Sequence, residues 1–351
     1  MDIILPSEGS VGGSIPLGHT MKKLCLALFL LSGYLVGVSK FYFQPVAVVV
    51  PHHDVVKEKR LELLEKIKKR RVATKTIVIV GPDHFSPFQK QISFANAEWN
   101  LSNGKIEFDK KWTTSLEKIA ETRNGVVKND HAVFNLLTDI KKLWPKVKIV
   151  PILVGQKTEN MSELEMVLKD KCGFDCLLIA SVDFSHYLPY ALADIHDDES
   201  IDALARLDGE KLLKVEVDSP QSLWLMANLA KEKRAKRWNF FWRSNSTKMA
   251  GLPKAEGTSH VMGWYGRGEM VKSEDPKTFL VIKDKDNKGY LGERFFWGTD
   301  ETLESLPKGI EEKADLEKVA VAGEIRDGVM KLVFLPLDRD SELEVIEKII
   351  N

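Results

Sequence analysis

A three-layer α/β domain built on a mostly parallel sheet, followed by a small C-terminal α+β appendage, is the fold that this 351-residue sequence predicts. Three apolar runs, 46–50, 76–80 and 176–180, carry the prediction. They lack the apolar/polar alternation of a half-solvated strand, so each reads as a strand buried on both faces. Segments with helical spacing separate them, the arrangement expected of strands joined by crossovers. Each run also stops in a break that carries Asp and His: Pro51-His52-His53-Asp54, Gly81-Pro82-Asp83-His84, and Ser181-Val182-Asp183-Phe184-Ser185-His186. Parallel strand ends converge on one crevice, which is where open α/β sheets hold ligands.

The chain is long enough for a full core with a smaller unit attached. Its 51 basic and 51 acidic residues balance, which gives no support for a nucleic-acid partner. Cys25, Cys172 and Cys176 make no disulfide framework, and the last two read as small buried hydrophobes.

Taken in order, residues 1–20 are rich in Gly and Ser and read as a disordered leader. Residues 21–43 open with Lys22-Lys23 and continue through the apolar stretch 24–38. They read as a signal anchor, with a cleaved signal or a buried helix as the alternatives. Either export reading puts the remainder at a cell membrane, on the extracellular or periplasmic side. The α/β domain is assigned to 44–270 and the appendage to 271–351. Within the domain, 57–71 is a helix with Leu61, Leu64 and Ile67 on one face, crossing from the first strand to the second. Residues 92–95 and 99–101 read as a hairpin with Asn103-Gly104 as its turn.

A short helix is expected at 116–119. Asn129 or Asp130 caps a helix over 132–143 with Val133, Phe134, Leu137, Ile140 and Leu143 as its apolar positions, which holds His131 in the first turn. Residues 148–155 form a strand, with Pro151 expected at its end or at a bulge. Helices follow at 162–169, 198–207 and 221–233, the last with Ser219 as N-cap and Pro220 at the first position. An aromatic strand at 238–242 leads to an edge or closing strand at 258–266. In the appendage, apolar segments 279–282 and 331–336 flank a polar helix-like segment, 310–319. Asp327-Gly328 supplies a hairpin turn.

A single histidine at a strand end is ordinarily a hydrogen-bonded structural residue. Three such ends with adjacent aspartates point instead to a shared metal or acid/base pocket built on His52, His84 and His186. Imidazole suits Fe(II), Zn and Cu, and an aspartate either ligates the metal or fixes the remote ring nitrogen.

These segments, with Asp130-His131 and the Pro151-Ile152-Leu153-Val154-Gly155 strand, resemble the Memo-like family, also called AmmeMemoRadiSam system protein B, over roughly 46–266. The resemblance implies the α/β fold of class III extradiol dioxygenases, which open catechol rings with non-haem Fe(II). Position by position it implies metal-ligand roles for His52 and His84, an acid/base role for His186, and a place beside the pocket for His131. The family's metal-site cysteine has no counterpart, because 240–257 contains no Cys. That leaves Asp183, Glu256, His53 or His260 to complete the site.

The resulting expectation is a metal set of His52, His84, His186 and His260, with His186, His131 and Asp183 as catalytic candidates. The cofactor is a divalent transition metal, Fe(II) first, with Zn and Cu as alternatives. The expected function is a metal-binding protein of the oxidoreductase type acting on a small organic molecule. A non-catalytic module binding metal or peptide, and a metal-dependent hydrolase, are the alternatives.

Overall fold

The computed structural model describes residues 44–71, 73–252 and 255–267. In the C-terminal part it describes 277–283, 289–293, 296–297, 319–326 and 329–336. The leader, the 21–43 segment and most of 310–319 lie outside the described residues. Among the described residues no helix is long and apolar enough to cross a membrane.

In chain order the main elements are β1 (Ala47–Val50), α1 (Lys57–Arg70), β2 (Thr76–Pro82), β3 (Ile92–Phe94), β4 (Glu98–Leu101), β5 (Gly104–Phe108), β6 (Ala120–Thr122), α2 (His131–Leu143), β7 (Lys148–Val154), α3 (Met161–Lys171), β8 (Cys176–Ser181), β9 (Leu188–Pro189), α4 (Tyr190–Arg206), α5 (Pro220–Glu232), β10 (Arg237–Asn245), β11 (Glu256–Gly257) and β12 (Ser259–Gly266). The large sheet has the order β10-β12-β1-β8-β2-β7-β3-β6, and the β4–β5 hairpin joins through β5 to β7. Its centre, β1-β8-β2-β7, is parallel, whereas β12 and β10 are added antiparallel.

The continuous apolar runs have the cause the sequence suggests, since alternate residues of each strand meet different helical layers. Val49, Val78, Val80 and Leu178 pack with Leu164 and Leu168 of α3 and Leu223 and Met226 of α5. Val48, Val50, Ile77 and Ile79 pack on the opposite face with Leu63, Leu64 and Ile67 of α1 and Leu136, Leu137 and Ile140 of α2. Burial of each of these side chains contributes about 2 kcal/mol.

Several local expectations are corrected. The first two apolar strands share one sheet, as the crossover between them requires, and β8 lies between them and pairs with both. Gly81 does not break β2; the strand runs on to Pro82. The glycine is required by close packing, since a Cβ there would lie 2.9 Å from Ala132 Cβ and 3.1 Å from Ser181 O. The hairpin pairs β4 with β5, whereas Ile92–Phe94 belongs to the main sheet. Gly104 accommodates the turn with φ +118°. Pro151 sits inside β7 opposite Ile79, and on the far side it falls between the stretches paired to β5 and to β3, so its missing N–H leaves no ladder partner unsatisfied. The strand containing His260 is interior, between β10 and β1. Phe134 of α2 is exposed rather than part of the apolar face. The helix expected at 198–207 begins earlier, at Tyr190. Ser219 precedes Pro220 as expected, yet its hydroxyl bonds Ser222 Oγ at 2.6 Å instead of capping the helix.

Cys172 and Cys176 are buried, as the sequence suggests, but they are joined in a disulfide with Cα atoms 5.0 Å apart. It ties the end of α3 to the start of β8. In the C-terminal part, β13 (Lys277–Lys283), β14 (Gly289–Glu293), β15 (Phe296–Trp297), β16 (Val319–Arg326) and β17 (Val329–Pro336) form an antiparallel sheet of order β15-β14-β13-β16-β17. β16 and β17 pair with Arg326 opposite Val329, and the expected turn residues Asp327-Gly328 lie outside the described residues.

Candidate metal centre

The carboxyl ends of β1, β2 and β8 and the first turn of α2 open onto a cavity of about 680 Å³, lined by His52, His53, His84, His131, Asp183 and His186 among others. The sheet therefore brings the predicted strand-end histidines to one crevice. Three groups of histidines or acids, His52/His84/His131, His53/Asp183/His260 and His52/Asp183/Asp218, each place one ligand atom per residue within 4.8 Å of one another.

His52 is buried at the end of β1. Its Nδ1 lies 3.3 Å from Ser181 Oγ, whose own proton is donated to Ala132 O at 2.6 Å. The hydroxyl can only accept from the imidazole, which assigns the ring proton to Nδ1 and a lone pair to Nε2. That nitrogen faces Asp183 Oδ2 and Asp218 Oδ2, each at 3.4 Å. Burial lowers the His52 pKa to about 3 against the opposing attraction of Asp183, so the ring is neutral. A neutral nitrogen lone pair facing carboxylate oxygens is an arrangement that a shared cation or proton relieves.

His84 is oriented by Asp130, the N-cap of α2. The carboxylate accepts from His84 Nδ1 at 2.8 Å, from the His84 backbone N–H at 2.9 Å and from Ala132 N–H at 2.9 Å. Burial disfavours this charge, but the bonds from His84 and the backbone prevail and hold the Asp130 carboxyl below its ordinary pKa. With Nδ1 protonated, Nε2 of His84 is left free to ligate. His131 stacks on His84 with ring centroids 3.7 Å apart and stands 4.9 Å from the His52 ring. Burial and the neighbouring His84 lower its pKa, which keeps it neutral and able to ligate.

Asp183, at the end of β8, is the hub on the other side. Its Oδ2 faces His52, and its Oδ1 lies 3.4 Å from His260 Nδ1. Burial opposes its charge; the surrounding imidazoles of His52, His260 and His186 reverse this and keep the carboxyl well below the usual range. Asp218 has the opposite fate. Burial, reinforced by the Asp183 charge, raises its pKa well above the ordinary value, so the two carboxyls of the pair are pushed in opposite directions. Asp183 Oδ1, Asp218 Oδ1 and both ring nitrogens of His260 are buried without a hydrogen-bond partner. Such orphaned atoms fit a cationic occupant.

His186 lines the cavity but joins none of the ligand groups. Burial lowers its pKa, opposed by Asp183. Glu256 is exposed in β11 and also joins none. Asp83 lines the cavity with its carboxylate committed to the backbone N–H groups of Phe85 and Ser86, to Gln89 and to Arg123. Sequence reasoning missed Asp218, a single acid ahead of a helix with no periodic signal. It also missed Arg60, whose place on α1 looks like one charge among many.

The sequence pattern described as Memo-like protein matches residues 31–252. A MEMO1 family protein from Caldivirga maquilingensis is 22% identical over 174 residues, covering 47% of this chain and 61% of that protein. One from Archaeoglobus fulgidus is 26% identical over 171 residues, covering 47% and 64%. One from Pyrococcus furiosus is 31% identical over 121 residues, covering 31% and 41%. The chain thus spans less than two thirds of the length of these curated relatives.

Proposed function

The chain belongs to the Memo-like protein family, and from that premise we propose that it holds one divalent transition metal on His52, His84 and His131 and presents it to a small, electron-rich organic molecule. The observation that supports this reading best is the convergence of three imidazoles, from β1, the end of β2 and the first turn of α2, beside an open cavity. Ser181 and Asp130 set the tautomers of two of them so that Nε2 is the free nitrogen in each.

Three imidazole nitrogen donors suit Fe(II), Zn and Cu better than Mg or Ca, and Fe(II) is the metal proposed. Such a metal supplies Lewis acidity and, as Fe(II), access to oxygen chemistry. The chain's own residues do the rest. Phe88 and Tyr187, 63% and 73% exposed, stand on the cavity lining, where flat side chains complement an aromatic ring. Tyr187 is held there with φ +56°, a conformation that costs energy for a non-glycine residue and is enriched at functional sites. His186, kept neutral by burial, accepts a proton from a bound hydroxyl. The reading is therefore a metal-dependent oxidoreductase.

Anaerobic loading with Fe(II), plasma mass spectrometry and oxygen-electrode measurements with catechol test it. His84→Ala and His131→Ala are expected to lose one equivalent of metal per chain and catechol-dependent oxygen uptake. Identical metal content in wild type and both variants would end the proposal. Metal binding with no oxygen uptake would leave the metal site and remove the oxidoreductase.

A further inference from the structure

We propose that His53, Asp183 and His260 form a second cation site, separate from the three-histidine group, for a divalent first-row transition metal. The three residues come from the ends of β1 and β8 and from β12, and these strands lie side by side in the order β12-β1-β8. Their ligand atoms lie within 4.8 Å of one another. His53 and His260 present their rings 5.3 Å apart between centroids.

His260 carries the argument. It is fully buried, and neither ring nitrogen has a hydrogen-bond partner. A neutral imidazole brings one N–H and one lone pair into the interior, and proteins rarely bury both unsatisfied. Its nearest charged atom, Asp183 Oδ1, stands at 3.4 Å and is itself without a hydrogen bond. A cation among these atoms satisfies a ring nitrogen and the carboxylate oxygen together.

The donor set of two imidazoles and one carboxylate is the composition that suits non-haem Fe(II) and also accepts Zn, whereas a site for Mg or Ca is built from oxygens. Access is from the cavity, because His53 and Asp183 line it, whereas His260 is fully buried. The two groups are separated by a simple alternation. His52 and His53 are consecutive in extended backbone, His53 having φ −68° and ψ 127°, so their side chains diverge and one goes to each group. Asp183 stands between them, with Oδ2 toward His52 and Oδ1 toward His260. The site does not depend on the three-histidine reading, since neither His53 nor His260 belongs to that group.

The test is Zn(II) loading of the full-length metal-free chain, with content read by plasma mass spectrometry and Co(II) substitution read by visible absorption. Wild type is expected to take up two equivalents, and His53→Ala, His260→Gln and His131→Ala one each. His53 is exposed, so His53→Ala probes the site without touching the core, and urea unfolding of the metal-free proteins verifies that the variants fold. Wild-type Zn(II) content retained in His53→Ala overturns the inference. A single equivalent abolished by His131→Ala but not by His53→Ala refutes this site and leaves the three-histidine reading intact. A single equivalent with the reverse dependence does the opposite.

Discussion

Asp130 performs two tasks that can be separated. Its carboxylate caps α2 through Ala132 N–H, and it fixes His84 through both the ring Nδ1 and the backbone N–H. Asp130→Asn keeps the size and one acceptor oxygen. If that oxygen takes the Oδ1 position, it still receives Ala132 N–H and the His84 ring, but the amide NH2 then faces the His84 backbone N–H. A buried donor left unpaired in this way costs about 1–3 kcal/mol. The bond to the ring also changes from charge-assisted to neutral, which roughly halves its strength. Loss of a partner that orients a metal-ligating imidazole typically costs about 10–100-fold in affinity, or about 1.4–2.7 kcal/mol.

Asp130→Ala removes the cap as well, a further loss of about 1 kcal/mol. Urea unfolding of the metal-free proteins reads the stability part. Competition of the folded proteins against a chelator for Zn(II) reads the affinity part. Asp130→Asn that is destabilised as expected yet binds Zn(II) as tightly as wild type would show that the residue is a helix cap and nothing more.

Two further outcomes follow from buried charge. Arg60, fully buried on α1, donates to Asp139, Asp54 and the carbonyl oxygens of Pro51, His53 and Asn135. Arg60→Met strands the buried Asp139 carboxylate and is expected to cost about 3–5 kcal/mol in urea unfolding, with Arg60→Met/Asp139→Leu recovering part of it; a loss under about 1 kcal/mol refutes the clamp. Asp197 of α4 accepts from Ser259 Oγ at 2.6 Å, and burial raises its pKa to about 8 from the ordinary 3.8. The folded state therefore binds the extra proton between these values, so this group lowers stability as pH rises through that window and its effect is complete above pH 8. Asp197→Asn is expected to flatten that decline and to gain up to about 6 kcal/mol at pH 9; equal pH slopes for variant and wild type would exclude a protonated Asp197.

The central strands were legible because a parallel interior strand must be apolar on both faces, and β1, β2 and β8 have no polar alternation to confuse the reading. His52 and His84 were legible for the related reason that strand ends share a crevice. Their order was not, because inserting β8 between β1 and β2 is a long-range pairing that no local pattern encodes. The cap holds His131 in the first turn of α2 and the family resemblance implies its place beside the pocket, but its stacking on His84 depends on Gly81 letting α2 approach β2. His186 follows a strand end like the others; four residues separate it from Ser181, and the chain carries its ring to the cavity wall instead of to a ligand group. The disulfide depended on the Cα separation at the junction of α3 and β8, which spacing in the sequence leaves open.

The adjacency of His52 and His53 makes the crevice unusually intolerant of length changes in one short segment. β1 is locked by pairs on both sides, Ala47 opposite Leu178 and opposite Tyr265. A single residue inserted or deleted between Val50 and His52 cannot be absorbed by sliding the strand without losing both ladders, and each one-residue slip sends a side chain to the other side. Such a change would swap which histidine faces Asp183 Oδ2 and which faces His260, while leaving every residue of the set present. Loop grafting and chain-length variation are therefore expected to be accepted at the β4–β5 turn and rejected at Pro51, although the latter is the shorter edit and touches no ligand.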